Sequence, residues 1–283
     1  MTTPETRRVR VGHSPDPDDA FMFYGIASGA VDTTPYEIEQ VLEDIETLNR
    51  RATQGQLEVS AVSIHAYAHL TAGYALMPCG ASMGYGYGPC VVARSKMTPG
   101  DLTRATVAVP GTMTSAFLAL RLFLGQQFPH KVVPFDRILD VVASGEADAG
   151  LIIHEGQLTY GRQDLELIAD LGVWWGERTG GLPLPLGGNV VRKDLGSEAM
   201  RRLTRILQAS IEYGLEHRQE ALDYAMDFGR GLDRELTDRF VGMYVNDWTL
   251  DYGERGRRSI ERFLEEGRGV GLVPPGAAVE FVG

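Results

Sequence analysis

The chain has 283 residues, 43% of them hydrophobic and 23% charged. That is the make-up of a soluble globular protein long enough for one large domain or, better, two. Its 27 basic and 38 acidic side chains leave a net charge of −11. This speaks against nucleic acid or an anionic membrane as partner, since both attract basic surfaces. A small anionic ligand stays open, because a local site can oppose the net charge.

Met1 to Arg10 is polar, carries Arg7, Arg8 and Arg10, and leads into no apolar run. No export signal is expected, and no stretch approaches the length of a membrane span. Cys79 and Cys90 are too few and too isolated for a zinc motif, and nothing points to an oxidising compartment. The expected location is the cytoplasm. Nothing in the sequence defines an oligomeric state.

In chain order, Val9 to Val11 reads as a strand that breaks at His13-Ser14-Pro15-Asp16-Pro17-Asp18-Asp19. The aspartates there suit an N-cap for a helix from Ala20 to Ala27. Tyr36 to Val41 reads as a strand, Asp44 to Thr53 as a helix closed by Gly55, and Val59 to Ser63 as a second strand. A short helical stretch, His65 to Thr71, follows. Strands at Tyr74 to Met77 and Cys90 to Ala93 flank the glycine-rich loop Gly80 to Gly88.

A βαβ unit then begins: a strand at Thr106 to Val109, a turn at Pro110 to Met113, and a helix from Thr114 to Gln126. Phe117, Leu120, Leu124 and Phe128 recur near helical spacing. Lys131 to Phe135 reads as a strand, Asp136 as the cap of a helix through Ala143, and Ala149 to Ile153 as the next strand. This alternation predicts an α/β class with parallel strands covered by helices. From Ser197 onward amphipathic helices dominate, with Met200, Leu203, Leu207, Ile211 and Leu215 on one face. Further helices span roughly 219–228, 233–245 and 254–266. Pro183 to Gly188 reads as a segment joining two domains.

Candidate chemistry gathers at strand ends, where α/β sheets bind ligands. The strand Ala149 to Ile153 runs into His154 and Glu155, and histidine needs little tuning to act as a base. Thr114 and Ser115 open a helix whose free N–H groups attract anions, with two hydroxyls as added donors. Plain N-capping explains the same residues. Ser14 and Ser63 follow strands and either aim a hydroxyl at a ligand or cap a helix. No Gly-Lys-Ser/Thr is present, so there is no P-loop. The Gly80 to Gly88 loop lacks a dinucleotide fingerprint and forms either a cleft wall or a surface loop. His65 and His69 share a helix face, but no third ligand or HExxH follows, so packing beside Tyr67 is preferred to a metal. Asp16, Asp18 and Asp19 are too few for a magnesium site by themselves. Trp174 and Trp175 read as packing at a domain seam.

Six blocks carry a likeness to a known family: Ser14-Pro15 with Pro17 and Asp19-Ala20-Phe21; Val41 to Arg50; Asp136 to Leu139; Gly150 to Glu155; Trp174-Trp175; and Leu182 to Gly187. On these the chain resembles the menaquinone-biosynthesis family of the futalosine pathway. Within it the similarity is to the branch forming 1,4-dihydroxy-6-naphthoate; the chorismate dehydratase branch looks similar in fold but lacks the Ile-Ile-His-Glu block. The resemblance implies a two-domain fold like type II periplasmic solute-binding proteins, with a ligand cleft between the domains. Domain one would combine residues 1–92 and 192–283, and domain two residues 93–191.

The resemblance also implies a lyase that converts cyclic dehypoxanthinylfutalosine to 1,4-dihydroxy-6-naphthoate and releases a sugar-derived fragment, with no cofactor and no metal. His154 would be the general base. Thr114 and Ser115 would hold the substrate carboxylate, with Ser63 as a donor. Ser14, Asp18 and Gly187 complete the expected substrate-binding set. The first loop departs from the family pattern Ser-Pro-Cys-Pro-Asn-Asp-Thr-Phe: Asp16, Asp18 and Ala20 stand at the Cys, Asn and Thr positions. An amide donor thus becomes a carboxyl group, which bears on the substrate accepted. The competing readings are chorismate dehydratase and a non-catalytic small-acid receptor. The absent export signal weighs against the receptor.

Overall fold

The computed structural model describes residues 6–283. Residues 1–5, part of the segment read above as lacking an export signal and of the first domain's expected range, lie outside it. The chain opens on β1 (Arg7–His13) and α1 (Pro17–Ala27). Pro17 takes the first helical position, where its missing N–H leaves no bond unmade. Asp18 and Asp19 therefore fall inside the first turn and do not cap a helix starting at Ala20, a correction to the sequence reading. β2 (Tyr36–Leu42), α2 (Ile45–Thr53), β3 (Val59–Ser63), α3 (Ile64–Tyr67), β4 (Tyr74–Leu76) and β5 (Ser82–Gly84) follow. Asp44 caps α2 by accepting from Thr47 N–H, as its position predicts.

The middle of the chain holds β6 (Cys90–Ala93), α4 (Pro99–Leu102), β7 (Val107–Val109) and α5 (Ser115–Leu124). It continues with β8 (His130–Val132), α6 (Ile138–Ala143), β9 (Ala149–Ile152), α7 (Gly156–Thr159), β10 (Glu166–Asp170) and α8 (Leu171–Thr179). β8 stops short of the expected Phe135 because Pro134 cannot donate to a ladder and Phe135–Arg137 form a 3-10 turn, so Asp136 does not cap α6. β10 and α8 were not legible in the sequence. The last part comprises β11 (Leu184–Arg192) and α9 (Ser197–Glu216), α10 (Arg218–Met226), α11 (Arg234–Tyr244), α12 (Asp247–Leu250) and α13 (Gly253–Gly269).

Two sheets result. The first runs β2-β1-β3-β11-β4, with β5 also paired to β11; the second runs β10-β6-β9-β7-β8. β1, β2 and β3 are parallel, whereas β11 is antiparallel to β3 in the register Gly187↔Ser63 to Val191↔Val59. Residues 183–188 are thus no mere connector. Most of that segment lies in a central strand of the first sheet, although the expected division placed it in the middle domain. β6 likewise enters the second sheet from Cys90, pairing with β9 and β10. The chain leaves the first sheet after β5 and returns to it at β11.

Helices α9, α10 and α11 attach to the first sheet through α1. Phe21, Met22 and Phe23 are buried there among residues of α9, α10 and α11. Small residues let α1 and α9 approach: a Cβ at Gly25 would lie 2.8 Å from Ser210 Cα, and one at Gly214 2.9 Å from the Phe21 carbonyl oxygen. A larger core cluster joins residues of β3, β11, α5, α8 and α13, so it runs from one sheet to the other. Among the described residues no helix is long and apolar enough to cross a membrane.

Candidate active site

Strand ends of both sheets meet the starts of α1 and α5 around a cavity. It holds about 750 Å³ of empty space, part of it open to solvent, a size that suits a small-molecule ligand. Ser14, Asp18, Ser63, Thr114, Ser115 and Gly187 all border it. Six of the seven residues singled out in the sequence therefore share one space, although they come from distant parts of the chain.

α5 supplies the anion-ready feature. Glu46 on α2 seats its entry turn by accepting from Met113 N–H at 3.1 Å, close against Gly111, where a Cβ would overlap the carboxylate. Thr114 Oγ1 donates to the Gly111 carbonyl (2.9 Å) and accepts from Phe117 N–H (3.1 Å). Ser115 Oγ donates to the Leu186 carbonyl (2.6 Å) and accepts from His65 N–H (3.1 Å). In this structure both hydroxyl protons are engaged by backbone carbonyls, so the expected donation to a ligand would require them to exchange partners. The backbone N–H groups of Ser115 and Ala116, in the first turn of α5, find no acceptor among the described residues.

Ser63 is placed differently. Asn49 brackets it: Ser63 N–H donates to Asn49 Oδ1 (2.9 Å), and Ser63 Oγ accepts from Asn49 Nδ2 (3.1 Å). Its hydroxyl proton has no acceptor among the described residues. Ser14 has given up both donors, its N–H to Asp19 and its hydroxyl to Asp16, each at 2.7 Å. A Cβ at Gly187 would meet only ordinary contacts at 3.6 Å, so glycine there preserves cavity space.

His154 does not border the cavity; its neighbour Ile153 does. The ring is buried beneath Phe135, edge-on at 5.4 Å between centroids. Nδ1 accepts from Gly156 N–H at 3.0 Å, so in the neutral ring Nε2 carries the proton and donates to the Phe135 carbonyl oxygen at 2.8 Å. Both nitrogens are occupied in this conformation. Glu155 Oε2 lies 3.5 Å from Nδ1, and Arg230 grips the same carboxylate.

Asp18 opens into the cavity. Burial, with Asp19 and Asp16 beside it, pushes its carboxyl well above the ordinary range. A carboxyl raised in the folded state costs stability once pH exceeds its unfolded value, about 3.9. Asp18→Asn is therefore expected to raise the melting temperature at pH 7.5 and to change it little at pH 3.5. Thermal unfolding of both proteins at the two pH values checks this; a variant less stable at pH 7.5 would contradict it.

Sequence reasoning missed Asn189, Phe240 and Tyr244, which also border the cavity. Asn189 follows Gly187-Gly188 on β11 and donates to the Gly80 carbonyl at 3.0 Å, while its buried Oδ1 has no partner among the described residues. Gly80 and Ser82 border the cavity too, so the first part of the glycine-rich loop is a cleft wall. His65 and His69 both point Nε2 at the Leu272 carbonyl, at 3.0 and 3.1 Å, so they serve packing. Cys79 and Cys90 are free and buried, and burial pushes both thiols up to about 12.

Two α/β sheets with a cavity between their strand ends and a helix N-terminus at that cavity define a periplasmic-binding-protein-like fold. A Candida albicans protein described as having the generic periplasmic-binding-protein fold superposes with a TM-score of 0.67 at 13% identity, covering 90% of each chain. A crystal structure of an Archaeoglobus fulgidus protein superposes with a TM-score of 0.90 at 47% identity, covering 94% of this chain and 98% of the other. The chain belongs to the menaquinone-biosynthesis family, whose model matches residues 9–268. Two relatives are named 1,4-dihydroxy-6-naphthoate synthase. One, from Thermus thermophilus, is 44% identical over 97% of this chain and 99% of its own length. The other, from Streptomyces coelicolor, is 36% identical over 94% and 95%.

Proposed function

We propose that the protein converts cyclic dehypoxanthinylfutalosine to 1,4-dihydroxy-6-naphthoate in the cytoplasm, as a cofactor-free lyase working alone on a small carboxylate. The observation that carries this reading is the anion site at the cavity floor. Two unpaired N–H groups of α5 and the Ser63 hydroxyl offer three donors to one carboxylate. A helix N-terminus adds a further 0.3–1 kcal/mol, approximately, for a negative group.

The remaining contacts follow from the cavity's polar groups. Asp18 stands where the family loop has an amide, and burial beside Asp19 and Asp16 favours its protonated form, the form that can donate. Asn189 Oδ1 accepts from a substrate hydroxyl, a bond that no group among the described residues makes. His154 acts as the base after its ring swings past Ile153 into the cavity, giving up its bonds to Gly156 and Phe135. The swing leaves the Gly156 N–H and the Phe135 carbonyl without their partner, at about 1–3 kcal/mol for each group that stays buried, a cost that substrate binding has to offset. Proton removal opens the cyclic substrate, and aromatisation of the product supplies the drive. Two lobes, 6–88 with 182–283 and 89–181, close on the substrate to exclude water and align it.

Incubation of the purified protein with cyclic dehypoxanthinylfutalosine, followed by mass analysis, is expected to yield dihydroxynaphthoate without added metal. Ser63→Ala is expected to raise KM roughly tenfold with little change in kcat, because it removes one carboxylate donor. No product from this substrate, with 3-enolpyruvylbenzoate formed from chorismate, would reassign the protein to the sibling reaction. Unchanged ligand recovered in every case would make it a receptor.

A further inference from the structure

Arg230 lies in the turn between α10 and α11, far in sequence from His154 and from the residues expected to bind substrate. Its φ is 45°, in the left-handed region, and Gly231 follows at 84°. A non-glycine residue held there is strained and persists only where surrounding contacts hold it. Those contacts come from three separate segments. Nη1 of Arg230 donates to both Glu155 carboxylate oxygens at 2.9 Å. Nη2 donates to Asp16 Oδ1 at 2.5 Å and to the Pro15 carbonyl at 3.2 Å. The guanidinium also lies 4.7 Å from the centre of the Phe135 ring.

These segments belong to the two different sheets whose strand ends surround the cavity. Pro15 and Asp16 follow β1 of the first sheet, and Asp16 borders the cavity itself. Glu155 follows β9 of the second sheet, and Phe135 follows β8. Phe135 and Glu155 are also the neighbours of the His154 ring. One side chain therefore ties the two walls together and braces both groups that surround the histidine. A second bond across the same boundary, Tyr244 Oη to Gln157 Oε1 at 2.7 Å, is buried. The Arg230 side chain is 29% exposed, so water can compete for its bonds and release them.

We infer that Arg230 is a latch across the cavity mouth and the positioning residue for His154. Resting on the reaction proposed above, the latch holds the walls together during turnover and lets go for substrate entry and product exit. A planar guanidinium suits this task because it meets Glu155 and Asp16 at once; a lysine ammonium holds only one firmly.

The test uses the full-length protein with Arg230→Gln, Arg230→Lys, Glu155→Gln and the double variant Arg230→Gln/Glu155→Gln. Hydrogen exchange on the ligand-free proteins reads the latch without reference to any reaction. Exchange is expected to rise in residues 15–20 and 154–158 together in Arg230→Gln, with residues 59–63 of the core strand unchanged. With substrate, kcat is expected to fall about 10- to 100-fold with little change in KM, because a base misplaced by about 1 Å can cost that much. Arg230→Lys should recover part of the loss. The double variant should be no slower than Arg230→Gln alone, since both changes cut one link. Unchanged exchange in the two segments overturns the latch, whether or not the wild type turns over this substrate. Raised exchange with unchanged kcat, or additive losses in the double variant, overturns the positioning role. Because Arg230→Gln leaves two carboxylates unpaired, Asp16→Asn/Glu155→Gln serves as the variant without stranded charge, and the same two segments should loosen in it.

Discussion

His154→Ala is expected to lower turnover by about 10²- to 10⁴-fold, the usual contribution of a positioned general base, while substrate still binds with near-normal affinity. The structure makes this a demanding expectation, because the ring is buried and engaged at both nitrogens. Truncation leaves the Phe135 carbonyl and the Gly156 N–H without their partner, at about 1–3 kcal/mol for each group that stays buried. A structural role would therefore show itself as lost stability together with lost binding. A base role shows itself as lost kcat with the ligand dissociation constant and the unfolding transition largely kept. His154→Gln separates the two further, since its amide can replace part of the hydrogen bonding but cannot take up a proton. Near-wild-type turnover in either variant would remove His154 from the chemistry and turn attention to Asp18, one of the titratable groups that border the cavity.

The same residue shows where reading a sequence succeeds and where it stops. An apolar run ending in His154 and Glu155 marked a strand end near a ligand site, and β9 does end beside the cavity wall at Ile153. Local pattern carries that much, because strand burial and strand termination are local. The direction of the histidine ring depends on Phe135 and Gly156, and nothing in the spacing of these residues announces a hydrogen bond. Thr114 gives the opposite lesson. Capping and ligand binding looked like alternatives for one hydroxyl, yet Thr114 caps α5 while the next two backbone N–H groups have no acceptor among the described residues.

β11 was missed for a physical reason. Its Pro185 and paired glycines look like a linker, but Pro185 sits at a register shift against β5. Gly188 is required because a Cβ there would overlap Tyr252 Oη. Arg230 was missed because its meaning lies in residues 75 and 214 positions away. Proline and glycine in this chain record close approaches between distant elements as often as turns. A single sequence does not display those distances.

The seam between the sheets supports the second large effect. Trp175→Ala is expected to destabilise the protein by about 3–5 kcal/mol, the cost of emptying a fully buried aromatic site, and thus to lower the melting temperature by roughly 6–20 °C. Trp175 sits on α8, which follows the edge strand of the second sheet, and it is fully buried. Its ring meets Phe263 of α13 edge-on at 5.4 Å, and its Nε1 donates to Ser259 Oγ at 3.1 Å. Ser259 in turn donates to the Pro183 carbonyl, just where the chain re-enters the first sheet. Removing the indole therefore opens a void in the cluster that spans both sheets and breaks a chain of bonds between them. Trp175→Phe keeps most of the volume and loses the N–H bond, so about 1–2 kcal/mol is expected. Because Trp175 does not border the cavity, kcat measured well below the melting temperature should stay close to wild type in both variants. Calorimetry is the measurement. A melting temperature within about 2 °C of wild type for Trp175→Ala would show that the seam contributes little, and a halved kcat with no thermal shift would place Trp175 in the site instead.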